Sequence, residues 1–467
     1  MSELWERGAF ELGTSIRDGV VSSREVVEAQ LARIEKVNPD VNAVTAMLAD
    51  GALSAADEAD AVIARAEPTG PVHGVPFTVK ETIDLAGSPT THGVVAMAEV
   101  VPPLDAPAVA NLRAAGAIPL ARTNAPDLGL RWDTDNALRG RTHNPWNRTR
   151  TPGGSSGGEA AALATGMTPL GVGSDLGGSL RFPSACCGTA ALRPTLGRIP
   201  MATSLEPHDA PITMQLMAVQ GPMARGVLDL RVALEIMSRP STRDPWYAPI
   251  PIAGPPLANP IRVAFATDPG GRGVDPAVEA GVRAAADALA DAGYTVEEVE
   301  LPVVREAAEL WLTLVLTEVR SMWPVLGAVI SDDTRRFLDG MLTLVPPLDQ
   351  AAYAAAFMTR QELARAWTEF QADAPLVLGP VATQPPFTIG TDLGGPDAAD
   401  TLREMLDLTV LCNCLGLPAV ALPAGIEAGL PVGVQIIGPR YREDLCLTAA
   451  WEVERALGAI TPIDPRS

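Results

Sequence analysis

The order helix, glycine, strand occurs twice in the first half of the sequence, and it is the feature that most restricts the fold. The first copy is DAPAVANLRAAGAIPLARTN, where Gly116 stops the helix and residues 117–121 form the strand. The second copy is EAAALATGMTPLGVGSD, which begins at Glu159. A short apolar run at residues 76–79 precedes both and reads as a buried strand that carries Lys80 at its end. Strands that alternate with helices are typical of βαβ units, so the pattern predicts an α/β fold.

The rest of the chain extends this pattern without a visible boundary. Ser22 and Glu25 have the spacing of a capping box, and Asn38-Pro39 is predicted to end the helix that follows. Further strands are predicted in IRVAFAT, APLVLGP, PAVALPAG and PVGVQIIG. No repeat or long linker divides the sequence. We therefore predict a single domain over residues 1–467, with an N-terminal helical segment at 1–67 and a helical insertion at about 305–371.

Charge and composition exclude several classes of function. The chain has 56 acidic and 35 basic residues, which gives a formal net charge of −21. Such a polyanion repels phosphate backbones and anionic lipid headgroups, so we expect no nucleic-acid or membrane partner. The N-terminus lacks the apolar run of a signal peptide, and the five cysteines have no zinc-ligand spacing. These features predict a cytoplasmic protein with reduced thiols, and with no metal or cofactor.

Two glycine-rich segments lie close together, at residues 151–166 and 173–184. The first does not match a phosphate-binding loop, because no Lys-Ser/Thr pair follows its glycines at the required spacing. In the second, Gly177 and Gly178 allow backbone N–H groups to converge on one point, as an oxyanion hole requires, and Ser179 follows as a candidate nucleophile. From these residues alone, a glycine turn capped by a serine remains an equal alternative.

A serine nucleophile needs a base, and the histidines do not provide an obvious one. The four histidines lie in predicted loop or packing positions and are not expected to be catalytic. The adjacent thiols of Cys186 and Cys187 follow the turn in an apolar run, where inert burial is expected.

Residues 151–166 and 173–184, together with VHGVPFTVKETIDLAG, AGAIPLARTN and GLPVGVQIIG, resemble the amidase signature family of hydrolases. The similarity extends over nearly the whole chain and favours an aryl acylamidase or urethanase-like member. It implies the amidase signature fold, in which a mixed, twisted central β-sheet is flanked by α-helices on both faces. The sequence departs from the family pattern at Glu81-Thr82, where Asp-Asn is common, and at Arg122, where lysine is common.

The resemblance also implies a set of catalytic residues without a histidine. By motif position Lys80 is the base, Ser155 the bridging serine and Ser179 the nucleophile. A buried Lys80, next to Phe77 and Val79, would have a lowered pKa and could be neutral.

Around this triad, the family pattern implies supporting groups. Gly154 and Ser155 are joined by a cis peptide, Ser156 supports the loop by hydrogen bonds, and Asp175 pairs with Arg181. The backbone N–H groups of four consecutive residues form the oxyanion hole: Leu176, Gly177, Gly178 and Ser179.

The resulting prediction is a hydrolase of carbon–nitrogen bonds that passes through an acyl-enzyme. Its substrate is a small-molecule amide, and carbamates, urethanes or esters share the chemistry. The alternative is the glutaminase subunit of a tRNA-dependent amidotransferase, which has the same triad, and a catalytically silent binding module is a third reading. We expect a monomer or homodimer, with substrate contacts in residues 125–145, 200–220 and 305–370.

Overall fold

A computed structural model describes residues 3–207 and 209–466 of the chain. Within these residues there are fifteen α-helices, which we number in chain order: α1 Ala9–Arg17, α2 Ser23–Val41, α3 Ala49–Ala64, α4 Pro107–Ala114, α5 Gly157–Ala164, α6 Arg181–Cys187, α7 Ile212–Met217, α8 Val227–Met237, α9 Pro276–Asp291, α10 Val304–Val329, α11 Asp332–Thr343, α12 Gln350–Asp373, α13 Pro396–Glu404, α14 Asp407–Leu415 and α15 Glu443–Leu457.

The same residues contain eleven β-strands, and all of them join one sheet. Their bounds are β1 Val44–Met47, β2 Pro76–Lys80, β3 Ile118–Thr123, β4 Leu170–Asp175, β5 Ala190–Arg193, β6 Val219–Ala224, β7 Arg262–Phe265, β8 Thr295–Glu298, β9 Leu376–Pro380, β10 Ala419–Glu427 and β11 Leu430–Ile437. The order across the sheet is β1-β3-β2-β4-β6-β5-β10-β11-β9-β7-β8.

The sheet is mixed, with two parallel regions separated by antiparallel strands. Strand β2 pairs in parallel with β3 on one side and with β4 on the other. Strands β6, β5, β10 and β11 are antiparallel to their neighbours, and β9, β7 and β8 are again parallel. The predicted α/β fold is therefore confirmed. Because parallel strands end at the same sheet edge, the last residues of β2 and β4, Lys80 and Asp175, lie at one edge.

Two apolar clusters cover the two faces of the sheet. Helices α5, α10 and α14 contribute to one cluster, and α4, α8 and α15 contribute to the other. Phe77 and Val79 of β2 pack in the second cluster. Since side chains alternate along a strand, Thr78 and Lys80 face the opposite side. Lys80 is buried as expected, but the expectation that Phe77 and Val79 lie beside its side chain is wrong, because they face the other side of the sheet.

The N-terminal segment contains one strand in addition to its helices. Ser22 caps α2, and its capping box with Glu25 is present as predicted. The helix does not end at Asn38-Pro39 but continues to Val41, and Asn42 ends it in the left-handed conformation. Beyond that end, the Asn38 side chain accepts hydrogen bonds from the N–H groups of Ala43 and Val44. The chain then forms β1, an edge strand that the sequence did not suggest.

Helices α10, α11 and α12 occupy the region that we predicted as helical from about residue 305 to 371. In the described part of the chain, α10 is the one helix that is long and apolar enough to cross a membrane. Length and composition alone are weak evidence for a membrane span, since the core helix of a globular protein meets the same criterion. Ten residues of α10 are buried, among them Trp311.

Candidate active site

Lys80 enters the site from the last position of β2, and its side chain is fully buried. Its Nζ atom lies 2.7 Å from Ser155 Oγ and 3.1 Å from Ser174 Oγ, and both hydroxyls accept its hydrogen bonds. Burial lowers the pKa of Lys80 to about 7, although the negative charges of Asp175 and Glu159 act in the opposite direction. The lysine is therefore close to the balance between ammonium and amine at neutral pH.

Ser155 lies in the loop that leads into α5, and the predicted cis peptide joins it to Gly154. Ser156 connects this loop to the second glycine-rich segment. Its N–H donates to the carbonyl of Ser179 at 3.3 Å, and its hydroxyl donates to the carbonyl of Ser174 at 3.5 Å. We expected Ser156 to bond within its own loop, but its partners lie on the facing segment.

Ser179 follows the turn after β4 and is 6% exposed. Ser179 lines a cavity, and its carbonyl accepts from Ser156, the residue that follows Ser155. The Ser155 hydroxyl accepts from Lys80. Among the residues described, no hydrogen bond joins the hydroxyls of Ser155 and Ser179. The two serines and the lysine thus lie on neighbouring segments of one site.

Asp175 is the central acceptor of the turn. It pairs with Arg181 as the sequence predicted, with 3.0 Å between Arg181 Nε and Asp175 Oδ2. Asn413 donates to its Oδ1 atom at 2.7 Å. Burial alone would raise the pKa of Asp175, but the guanidinium groups of Arg181 and Arg193 hold it well below its usual range. The carboxylate is therefore ionised and fixed.

The backbone N–H groups of the turn differ in their availability. Those of Leu176, Gly177 and Ser179 have no acceptor among the residues that the structure describes. The Gly178 N–H instead donates to Asp175 Oδ1 at 2.8 Å. The prediction of four oxyanion-hole donors is therefore wrong for Gly178, because its N–H already donates to the buried carboxylate of Asp175.

A cavity of about 70 Å³ opens beside Ser179 and is mainly apolar. Three aromatic rings form part of its wall. The ring centroids of Trp132 and Trp311 are 6.2 Å apart, and Phe337 packs edge-on against Trp132 at 6.0 Å. The charged residue in the wall is Arg131, which is buried and paired with Asp392 at 2.7 Å.

Two buried residues of the site were missed by sequence reasoning. Ser174 lies one position before Asp175 on β4, where the parallel pairing of β2 and β4 brings it to Lys80. That pairing could have signalled it. Glu159 is fully buried in the first turn of α5 and accepts hydrogen bonds from the hydroxyls of Thr78 and Thr123. Burial raises the pKa of Glu159 to about 7.

The two departures from the family pattern lie close to Lys80 but not among the predicted catalytic groups. Arg122 is fully buried, and its Nη2 donates to the carbonyls of Lys80 at 3.2 Å and Ile83 at 2.8 Å. Glu81 is buried and pairs with Arg139 at 2.9 Å. Arg122 thus holds the backbone at the end of β2.

Other nucleophiles and metal ligands do not converge on this site. None of the histidines within the described residues hydrogen-bonds to Ser155 or Ser179, and His208 lies outside those residues. Cys186 and Cys187 are buried, and burial raises the pKa of both thiols. Residues 3–207 and 209–466 contain no group of three or more histidine, cysteine, aspartate or glutamate side chains arranged to hold a metal ion.

Comparison with known proteins gives consistent matches over the whole chain. The model of the family described as Amidase matches residues 25–447. An indoleacetamide hydrolase of Bradyrhizobium diazoefficiens is 40% identical, over 98% of this chain and 88% of that protein. A glutamyl-tRNA(Gln) amidotransferase subunit of Anaeromyxobacter dehalogenans is 32% identical, over 99% of each chain.

Among solved structures, a bacterial aryl acylamidase of the amidase signature family superposes with a TM-score of 0.84. The two chains are 26% identical, and the match covers 97% of each. The fold and the sequence relatives agree with the resemblance found in the two glycine-rich segments. This chain belongs to the amidase signature family and is a hydrolase that acts on carbon–nitrogen amide bonds.

Proposed function

We propose that this amidase cleaves amides whose acyl group is compact, apolar and aromatic, through an acyl-enzyme on Ser179. The observation that carries the proposal is the 2.7 Å contact between Lys80 Nζ and Ser155 Oγ, fully buried next to the cavity of Ser179. A buried lysine with a pKa of about 7 can act as a base at neutral pH. A serine between two groups can accept a proton from one and donate a proton to the other.

In the first half of the reaction, neutral Lys80 accepts the proton of Ser155, and Ser155 accepts the proton of Ser179. Ser179 Oγ then forms a bond to the carbonyl carbon, and the carbonyl oxygen becomes an oxyanion. The free N–H groups of Leu176, Gly177 and Ser179 are the donors available to this oxygen. Such donors act strongly here because the surrounding groups are buried and already fixed.

The second half of the reaction returns the protons. The amine leaves with the proton that Lys80 delivers through Ser155, and the carbon–nitrogen bond breaks to give the acyl-enzyme. Water then attacks the ester carbon while the same relay removes its proton, and Ser179 is released with the carboxylic acid. At the end of the cycle Lys80 is again neutral, as it was at the start.

The cavity supports an aromatic acyl group. Trp132, Trp311 and Phe337 offer ring surfaces, and Arg131 is already neutralised by Asp392. The relative named indoleacetamide hydrolase favours arylacetamides as the first substrates to test. A γ-glutamyl group, by contrast, would carry an ammonium and a carboxylate into an apolar wall, at a large desolvation cost. Aryl carbamates, urethanes and esters remain predicted secondary substrates.

Five broader predictions are part of the proposal. The chain acts as one domain over residues 1–467, and the helices of about 305–371 shape the substrate cavity through Trp311 and Phe337. The protein is a monomer or homodimer in the cytoplasm. Its charge of −21 supports the absence of nucleic-acid and membrane partners.

The test is a turnover panel of indoleacetamide, an anilide, glutamine and an aryl carbamate. The wild-type protein is compared with Lys80→Ala, Ser155→Ala and Ser179→Ala variants. Ser184→Ala is the matched control, since that buried hydroxyl on α6 has no hydrogen-bond partner. We expect arylacetamide turnover in the wild type and control, and loss of at least about 10³-fold in the three variants.

Folded Lys80→Ala and Ser179→Ala variants with wild-type turnover would overturn the proposed chemistry. Labelling by a fluorophosphonate, which phosphonylates an activated serine, should require Ser179. Preference for glutamine over every arylacetamide would instead favour the alternative, the glutaminase subunit of an amidotransferase.

A further inference from the structure

The carbonyl of Leu176 points to an indole. Trp311 Nε1 donates to this oxygen at 2.9 Å. In a planar trans peptide the carbonyl and the N–H of one unit point in opposite directions. The N–H in the same unit belongs to Gly177, and it has no acceptor among the described residues. The Trp311 hydrogen bond therefore sets the direction of a free donor beside Ser179.

The next peptide unit is held at both ends. Trp132 Nε1 donates to the carbonyl of Gly177 at 2.8 Å, and the N–H of Gly178 donates to Asp175 Oδ1 at 2.8 Å. The Gly177–Gly178 peptide unit cannot turn without losing these two buried hydrogen bonds. It therefore anchors one end of the preceding unit, Leu176–Gly177.

The other two peptide units of the turn, Asp175–Leu176 and Gly178–Ser179, are oriented by other groups. The carbonyl of Gly178 accepts from the N–H of Phe182 at 2.7 Å, inside the first turn of α6. The carbonyl of Asp175 accepts from Arg193 Nη1 at 2.9 Å. Of the three free donors, the Gly177 N–H is thus the one whose peptide unit is oriented by an aromatic side chain.

We propose that Trp311 is a positioning residue of the oxyanion hole, and that Trp132 assists it by fixing the adjoining peptide. The indole N–H of Trp311 turns the Leu176 carbonyl away from the reacting carbon, and this presents the Gly177 N–H to the developing oxyanion. The inference rests on the proposed role of Ser179 as the nucleophile.

The same two indoles form part of the cavity wall, so they contact the acyl group from one side and the turn from the other. Trp311 packs closely against the turn, since a Cβ atom on Gly177 would lie 2.5 Å from Trp311 Cζ2. An acyl group that packs on these rings restrains the residues that aim the donor. Cavity-filling acyl groups should therefore raise kcat as well as lower KM.

The decisive variant replaces Trp311 by 3-benzothienylalanine, which keeps the bicyclic shape and has sulfur where the indole has N–H. Trp311→Phe is the simpler companion. We expect kcat to fall about tenfold in both, with KM of the benzothienyl variant within about twofold of wild type. Trp132→Phe should lower kcat in the same direction.

A second measurement tests the stabilisation of the oxyanion separately from the packing of the acyl group. An arylalkyl trifluoromethyl ketone accepts Ser179 Oγ at its carbonyl carbon, its oxygen becomes an oxyanion, and the serine proton passes through Ser155 to Lys80. The matching secondary alcohol fills the same cavity and forms no adduct. In the benzothienyl variant, which keeps the shape of the wall, affinity for the ketone should fall about tenfold while affinity for the alcohol is unchanged.

Two control variants separate this role from general effects on folding and on the wall. Trp367→Phe removes a buried indole whose N–H has no hydrogen-bond partner, and kcat should stay at the wild-type value. Phe337→Leu alters the aromatic wall without removing a hydrogen bond from the turn, so it should raise KM more than it lowers kcat.

The outcomes distinguish this inference from the proposed function. If Ser179→Ala is inactive but the benzothienyl variant keeps wild-type kcat and ketone affinity, the positioning role is wrong and the proposed function stands. If Ser179→Ala keeps wild-type turnover, the proposed function itself fails. Equal loss of affinity for ketone and alcohol would also overturn the inference, because it would indicate a wall effect alone.

Discussion

The Asp175 carboxylate and the Arg181 guanidinium form an ion pair in which both side chains are completely excluded from solvent. Two nitrogens of Arg181 reach the carboxylate, at 3.0 Å and 3.2 Å. The carboxylate in turn accepts the N–H groups of Gly178 and Leu180, on either side of Ser179. Arg181 therefore fixes the turn of the nucleophile through Asp175, without touching the cavity.

Replacing Arg181 by Met should strongly destabilise the protein, because Asp175 would lose its closest positive partner while staying buried. We expect the free energy of unfolding to fall by about 3–5 kcal/mol, measured by urea denaturation. Arg65→Met is the control, since Arg65 pairs with Glu67 at the surface and the two side chains are 56% and 50% exposed. Equal small effects of both substitutions would contradict the argument.

The pH dependence of turnover should follow Lys80. Because burial lowers its pKa to about 7, kcat/KM should fall about tenfold for each pH unit below that value, as the ammonium cannot accept a proton. The sequence contains only two lysines, Lys80 and the exposed Lys36. Protein labelled with ¹³C at lysine Cε gives one signal for each, and the Lys80 signal should shift near pH 7. A Lys80 signal unchanged from pH 6 to pH 8 would contradict this prediction.

Glu159→Gln should move this acid limb to lower pH. The Glu159 carboxylate favours the ammonium form of Lys80, and because its own pKa is raised to about 7 it is partly ionised where the limb begins. Removing that partial charge lowers the pKa of Lys80 further. The variant keeps an amide oxygen for the hydroxyl of Thr78 or Thr123. The check is the kcat/KM profile from pH 5 to pH 8, and an acid limb shifted to higher pH would show that the interaction has the opposite sign.

Local patterns in the sequence were sufficient to predict the α/β fold, the strand that ends at Lys80 and the ion pair of Asp175 with Arg181. Each depends on residues close in the chain or on a long family motif. Strand β6 was missed because it contains Gly221 and Pro222 in the middle of a sheet, where proline is disfavoured. The pairing of β5 with β6 ends at Met223, so Pro222 has no paired residue on β5. Gly221 is needed because a Cβ atom there would lie 2.3 Å from the Leu192 carbonyl oxygen.

Contacts between distant segments explain the other differences. The loss of Gly178 as a free donor depends on where a buried carboxylate sits relative to its own turn, which spacing does not reveal. The hydrogen bond of Trp311 to Leu176 was missed, since it joins positions 135 residues apart. Such contacts become visible only when the helices around α10 are placed on the sheet.

Lys80→Met should make the protein more stable at neutral pH although it removes the proposed base. Between pH 7 and about 10, the unfolded chain holds a proton on this lysine that the folded protein gives up, so wild-type stability rises with pH in that window. The variant lacks this dependence. We expect its free energy of unfolding to exceed that of wild type by about 2–4 kcal/mol at pH 7, with the difference shrinking towards pH 10.

Lys36→Met is the matched control, because it makes the same replacement at a side chain that is exposed on α2. Urea denaturation of the three proteins at pH 7, 8 and 9 checks the slope. A Lys80→Met variant less stable than wild type at every pH would mean that the lysine contributes more through its hydrogen bonds than its burial costs.

Gly178→Ala should damage the turn for two separable reasons. Gly178 has φ of +93°, which an alanine adopts only with strain, and its Cβ atom would lie 2.6 Å from the Thr409 methyl carbon. We expect a loss of about 3 kcal/mol in the free energy of unfolding, of which the left-handed conformation accounts for about 1–2 kcal/mol. Turnover should fall as well, since Ser179 is the next residue.

Thr409→Ser separates the two causes, because it removes the methyl group and keeps the hydroxyl. That hydroxyl donates to the Val381 carbonyl at 2.6 Å and accepts from Gln435 at 2.8 Å. Alone, Thr409→Ser should cost about 1 kcal/mol, while in the Gly178→Ala background it should be neutral or stabilising. A double-mutant cycle in urea measures the coupling. Strict additivity would mean that the contact with Thr409 is relieved by backbone movement, and that strain at φ alone makes glycine necessary at this position.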